Sequence, residues 1–173
     1  MFNFLKPTYY FHTVFDIPDT FWSEQGIKGI LFDIDNTLEP YATEVPSQRT
    51  LKLFEKLSEL GISTAIISNN HKERVEKFAS PLNAEYYYES LKPRTGNIFS
   101  AINNMGLKKD NVVIIGDQLF TDIWAGSRAE IRSIFVDKLS DDESTFIKAK
   151  RALEVPFVKR IKKNGYGKYE KSC

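Results

Sequence analysis

Five short apolar runs recur along this 173-residue chain, at residues 30–32, 63–67, 84–88, 111–115 and 131–136. Runs this short and this rich in Ile, Val and Phe read as strands covered on both faces. The run at 84–88 carries Tyr86, Tyr87 and Tyr88, is more polar, and belongs nearer a sheet edge. Helical spacing fills the intervals. Ser47 caps a helix with Leu51, Phe54, Leu57 and Leu60 in phase, stopped by Gly61. A second helix follows His71, turns Val75 and Phe78 inward and ends before Pro81. Pro93 opens a third, with Ile98, Ile102 and Met105 on one face and Gly106 at its close. A short fourth runs through Trp124 and Ala125. Alternating strands and helices predict an α/β fold: a mainly parallel sheet with right-handed crossovers.

Chemistry-bearing residues stand where four of these strands end. Asp33 and Asp35 follow the first, Ser68 the second, Lys92 the third, and Asp117 and Asp122 the fourth. In an open parallel sheet, ligands bind at the carboxyl ends of strands. Asp33 and Asp35 repel each other, and a buried site tolerates them only with a cation or a shared proton. That points to a divalent-metal site with one carboxylate free for covalent or acid–base work. Taken singly, each residue has a plainer explanation. Asp35-Asn36 suits an Asx turn, Ser68 and Asp117 suit turns, and Lys92 suits a solvated lysine before a proline. The ordered set is what carries the functional reading.

The set resembles the haloacid dehalogenase (HAD) superfamily over about residues 27–137. Asp33-Ile34-Asp35-Asn36-Thr37 matches its first motif, Ser68 its second, Lys92 its third, and Gly116-Asp117 with Asp122 its fourth. The wording around the first and fourth motifs is similar to the YqeG family of subfamily IIIA phosphatases, relatives of the mitochondrial phosphatidylglycerophosphate phosphatases. The resemblance implies a three-layer α/β/α sandwich, Mg²⁺ dependence and an aspartyl-phosphate intermediate. It implies Asp33 as nucleophile, Asp35 as acid and base, and Lys92 as the charge neutralising the phosphoryl group. Ser68, Asn69 and Lys92 would contact substrate. Asp33, Asp117 and Asp35, the last through its backbone carbonyl, would hold the metal, with Asp122 orienting its water. Asn70, Gln118, Thr121 and Arg94 stand close enough in sequence to line the same site.

HAD enzymes often carry a cap after the first or second motif. Here the loop 39–46 is short, and one helix and one strand separate Ser68 from Lys92, so no cap domain is expected. An open site suits a large phosphorylated substrate: a lipid head group, a phosphoprotein or a nucleic-acid end. Phosphatidylglycerophosphate is the first to test. The rival classes are a phosphoprotein or nucleic-acid-end phosphatase and a non-catalytic metal-binding module. A signalling receiver domain also pairs Asp, Ser/Thr and Lys-Pro, but in a different strand order.

One domain is expected, with an aromatic segment (1–28), a catalytic core (29–137) and a basic segment (138–173). The aromatic segment is predicted to pack over a sheet edge, an interfacial belt being the alternative; His12 is read as structural, without a partner. The basic segment alternates Lys148, Lys150, Arg151, Lys159, Arg160, Lys162, Lys163, Lys168 and Lys171 with Phe146, Ile147, Leu153, Phe157, Val158 and Ile161. It suits an amphipathic helix broken near Pro156, lying on an anionic membrane, contacting RNA, or packed on the domain with a solvated basic end. The net charge of +1 gives no whole-molecule field for nucleic acid. Cys173 is the sole cysteine, so no internal disulfide forms. No apolar run reaches membrane-spanning length, and residues 1–7 lack the pattern of a signal peptide. The expected location is the cytoplasm, with peripheral contact at the inner membrane face. Without a cap, an oligomer is one way to cover the site.

Overall fold

In a computed structural model, which describes residues 3–164, β2 (Gly29–Phe32) is buried along its whole length. It lies at the middle of a six-stranded sheet with β1 (Tyr9–Phe11), β3 (Ser63–Ile67), β4 (Glu85–Tyr87), β5 (Val112–Gly116) and β6 (Arg132–Val136). The order is β1-β6-β5-β2-β3-β4, and every pairing is parallel. Successive side chains of a strand point to opposite faces. Ile30 and Phe32 therefore join one core, with Phe54, Leu57, Val75 and Phe78 from α2 (Gln48–Glu59) and α3 (Lys72–Ala79). Leu31 joins a second core, with Ile98, Ala101 and Ile102 of α4 (Gly96–Asn104) and Ala125 and Ala129 of α5 (Trp124–Ala129). Helices on both faces of a parallel sheet make a three-layer α/β/α sandwich, with no cap domain among the described residues.

The five strands read from the sequence are present, and the polar tyrosine strand, β4, is an edge. The aromatic N-terminal segment does more than cover the other edge, because part of it is the edge. Tyr9, Tyr10 and Phe11 pair with Ile134, Phe135 and Val136 as β1. The short α1 (Asp19–Glu24) follows, with Phe21 and Trp22 buried. The ring of Phe21 meets Tyr9, Phe11 and Trp22 edge-on at 5.0, 5.4 and 5.2 Å. Phe21→Ala is therefore expected to cost about 3–5 kcal/mol in a urea denaturation series. A loss below about 1 kcal/mol would mean that the segment is only loosely held. His12 does have a partner: its Nδ1 lies 3.1 Å from Asp137 Oδ2, which also accepts from Tyr10 Oη at 2.7 Å.

Two expectations about proline need correction. The third core helix starts at Gly96, not Pro93, because the chain first turns with the Arg94 N–H on the Leu91 carbonyl at 3.0 Å. The C-terminal helix α6 (Thr145–Asn164) runs through Pro156 unbroken. Proline removes one backbone donor and crowds the preceding turn, but packing on either side holds this helix. Glu154 is buried and accepts the Phe120 N–H at 2.8 Å, and Phe157, Val158 and Ile161 pack with Leu5, Tyr10 and Phe120. Lys168, Lys171 and Cys173 lie outside the described residues. No helix among the described residues is long and apolar enough to cross a membrane.

Candidate active site

From β2 the sheet extends one way through β3 and β4 and the other way through β5, β6 and β1. Such a switch point opens a crevice at the strands' carboxyl ends. The register levels those ends. Phe32 stands beside Ile66 on one side and Ile115 on the other, so Asp33, Ile67 and Gly116 follow at one height. Asp117 and Ser68 come one residue later. Gly116 has a steric reason to be glycine: a Cβ there would run into the Asp122 carboxyl group.

Lys92 ties the strand ends together. Its Nζ lies 2.6 Å from Asp33 Oδ1, 2.6 Å from Asp122 Oδ1 and 2.8 Å from the Ile67 carbonyl oxygen. It is aimed by Asn69, whose Oδ1 accepts the Lys92 N–H at 2.7 Å. The Asn69 side chain is thus engaged with the Lys92 backbone. Burial works against the charge on Lys92, yet Asp122 and Asp33 more than offset this and hold the ammonium above the ordinary lysine value. Burial pushes Asp33 well above the ordinary carboxylate value; Lys92 pulls it back, and Asp122, Asp117 and Asp35 push it further up. Asp117 is pushed by burial to about 7, against the pull of Arg151.

Asp33, Asp117 and Asp122 bring carboxylate oxygens within 4.8 Å of one another, all buried. These are hard oxygen donors of the kind Mg²⁺ prefers. Counting the buried ion-pair cluster, Asp33, Asp117, Asp122 and Glu143 face Lys92 and Arg151. Four carboxyl groups thus outnumber the two cations they pair with, an excess of the kind a divalent cation offsets. Lys150, beside Gln118 Oε1 at 3.3 Å, is held below the ordinary lysine value by its burial. The residues present fit a divalent metal.

The Asp35 side chain faces away from this cluster. Its Oδ2 accepts Asn70 Nδ2 at 2.6 Å, and its Oδ1 accepts the Ala42 N–H at 3.0 Å and pairs with Arg74. Arg74 also donates to the Thr43 carbonyl at 2.9 Å and so pins the loop 39–46 to α3. Next to Asp35 opens a cavity of ≈ 400 Å³ lined by Tyr41, Asn70, His71, Arg74 and Lys77 among others. Ser68 is buried, and its Oγ accepts the Asn70 N–H at 3.2 Å. Thr121 is buried against Asp122, while Arg94 is exposed.

Four neighbours escaped the sequence reading. Arg74 and Asn36 lie next to expected positions, but their contacts come from other elements. Arg151 and Glu143 come from α6 and the loop before it, where Arg151 had counted only as part of a basic stretch. The available signal was periodicity: Ile147, Lys150, Arg151, Glu154, Phe157, Val158 and Ile161 share one helical face. Charges on the apolar face of a helix call for buried partners.

The chain matches the family described as haloacid dehalogenase-like hydrolase over residues 40–136, a stretch that begins after Asp33 and Asp35. It is 32% identical over 168 residues to "Probable phosphatase YqeG" of Bacillus subtilis (strain 168), covering 97% of this chain and 98% of that protein. It is 28% identical over 151 residues to "Phosphatidylglycerophosphate phosphatase 1, chloroplastic/mitochondrial" of Arabidopsis thaliana, covering 82% of this chain and 43% of that protein. An uncharacterized Listeria monocytogenes serotype 4b protein of known crystal structure superposes with a TM-score of 0.53 at 19% identity, covering 68% of this chain and 85% of that one. That last likeness concerns the fold alone.

Proposed function

The chain belongs to the haloacid dehalogenase-like hydrolases as a YqeG-like phosphatase, and from that premise we propose that it is a Mg²⁺-dependent phosphomonoesterase acting on phosphatidylglycerophosphate through an aspartyl-phosphate. The observation that carries the chemistry is Lys92 bridging Asp33 and Asp122 beside Asp117 at the sheet's switch point. A Mg²⁺ ion, when bound, would be held by Asp33, Asp117 and the Asp35 carbonyl with Asp122 beside it, and would neutralise phosphoryl oxygens.

Asp33 attacks phosphorus; its oxygen forms the new P–O bond as the bond to the leaving oxygen breaks. Lys92 offsets the charge spread over the phosphoryl oxygens. Asp35 gives its proton to the leaving oxygen. In the second step Asp35 takes a proton from water, which attacks phosphorus and releases Asp33. Asp35 Oδ1 accepts from the Ala42 N–H and Arg74, while Oδ2 accepts from Asn70 alone, which leaves Oδ2 a lone pair for the proton. Ser68 Oγ accepts from Asn70, which leaves its O–H for a phosphoryl oxygen.

The lipid substrate rests on the Arabidopsis relative's name and on the outer face of α6. Phe146 and Leu153, seven residues apart and so on one side of α6, are 80% and 67% exposed, and Lys148, Lys159 and Lys163 are exposed on its outward side. Exposed apolar side chains beside a lysine-bearing face suit an anionic bilayer surface. The test is phosphate release from phosphatidylglycerophosphate in mixed micelles, with Mg²⁺ and with chelator, beside a soluble phosphomonoester. Mg²⁺-dependent release, faster from the lipid, is the expected result. Release from the soluble ester alone would keep the chemistry and reject the lipid. No release from either would favour a non-catalytic metal-binding module.

A further inference from the structure

Arg151 is held from two sides. Its Nη2 pairs with Asp117 Oδ2, and its Nη1 donates to the Asp117 carbonyl at 3.1 Å. Its Nε lies 2.7 Å from both Glu143 oxygens. Glu143 is buried, and its Oε1 also accepts Asn36 Nδ2 at 2.7 Å. Asn36 Oδ1 in turn accepts the Ser140 N–H at 3.0 Å. The guanidinium cannot turn from Asp117 without leaving a buried carboxylate unpaired, and that is costly. One side chain from α6 is thus locked to the loop after β5 and, through Glu143, to the loop after β2.

The consequence concerns how Asp117 can bind a cation. With Oδ2 committed to Arg151, the oxygen left is Oδ1, which accepts a long hydrogen bond from Thr37 at 3.3 Å. Asp33 is likewise engaged at Oδ1 by Lys92, and Asp122 at both oxygens, Oδ1 by Lys92 and Oδ2 by the Gln118 N–H at 3.2 Å and Thr121 Oγ1 at 3.3 Å. Calcium takes roughly six to eight oxygens and readily accepts both oxygens of one carboxylate, whereas magnesium demands an octahedron of about six short bonds. Both ions carry the same charge, so the local excess of negative charge does not choose between them. The number of oxygens each acid presents does.

We propose that Arg151 is a positioning residue for metal selectivity: by occupying one oxygen of Asp117 it keeps that acid from ligating through both, and so favours Mg²⁺ over Ca²⁺. This rests on the divalent-metal reading of the site given above.

The test is the melting temperature of the full chain, freed of metal with chelator and then titrated with Mg²⁺ or Ca²⁺. The quantity read is the ratio of the two half-effect concentrations. In the wild type Mg²⁺ acts at the lower concentration. Arg151→Met is expected to narrow the ratio by about tenfold, the lower end of what outer-shell partners of a metal site contribute. Arg151→Lys, whose ammonium can still sit on Oδ2, is expected to retain most of it. Glu143→Gln, which loosens the guanidinium, narrows it by less than Arg151→Met. General destabilisation lowers both titrations together and leaves the ratio alone. An unchanged ratio in Arg151→Met, with Mg²⁺ still stabilising the wild type, overturns the selectivity role and leaves the metal reading standing. No stabilisation of the wild type by either ion overturns the metal reading itself. If Arg151→Met does not fold, Glu143→Gln decides: a narrowed ratio supports the role, an unchanged one overturns it.

Discussion

Asp33→Asn is expected to lower phosphate release by at least about 10⁴-fold while leaving the melting temperature within a few degrees of wild type. The amide keeps the shape of the carboxylate but has no charged oxygen to attack phosphorus. The fold survives for an electrostatic reason. Burial, the largest influence on Asp33, works against its ionisation, Lys92 works for it, and the three neighbouring aspartates work against it again. A carboxyl raised in the folded state costs stability once the pH passes its ordinary value of 3.8, because the unfolded chain ionises more easily. The amide removes that cost at neutral pH. Lys92 keeps Asp122 as a partner at 2.6 Å and the Ile67 carbonyl at 2.8 Å. Phosphate release would be followed beside a thermal melt of the same preparation. Wild-type turnover would remove Asp33 from the nucleophile's role. Loss of both activity and fold would make its carboxylate a structural anchor instead.

What the sequence made legible follows from the range over which each signal acts. Strands β2, β3, β5 and β6 were visible because strands buried on both faces must be apolar throughout, and the polar residues at their ends then mark one edge of the sheet. The expected acids, Ser68 and Lys92 are gathered there because parallel strands in level register end at one height. β1 escaped because three consecutive aromatic residues, Tyr9, Tyr10 and Phe11, satisfy packing and pairing equally well. Arg151 escaped for a different reason. It meets Asp117 across 34 positions of sequence, and only the seating of α6 against Phe120 and Leu119 brings it there. Pro156 misled because a local rule about helix breaking is weaker than burial on both sides of the proline. Asn69 was expected to contact substrate, and its side-chain oxygen accepts the Lys92 N–H, a role no local signal foretold. Spacing along a strand end gives a residue's neighbourhood and leaves the direction of its side chain open.

Lys92→Met is expected to be the most destabilising single change in the site, by about 3–5 kcal/mol in denaturant unfolding. Methionine fills nearly the same volume, so packing is conserved and the loss is electrostatic. The Lys92 side chain is 2% exposed, and its two carboxylate partners are 10% and 1% exposed, so water cannot replace it. Removing the ammonium leaves Asp33 and Asp122 buried beside Asp117 with Arg151 as the remaining paired cation of the cluster. Their mutual repulsion is then relieved by protonation, by opening of the strand ends, or by a bound cation. A divalent ion at the acid cluster would supply the missing charge, so Mg²⁺ should raise the melting temperature of Lys92→Met by more than it raises that of the wild type. Turnover should stay far below wild type even at saturating Mg²⁺, because a metal held among the acids does not restore a donor where Nζ met Asp33. A variant as stable as wild type would mean that the acids are not ionised together in the folded protein. A variant destabilised as expected but indifferent to Mg²⁺ would locate the ion elsewhere than among Asp33, Asp117 and Asp122.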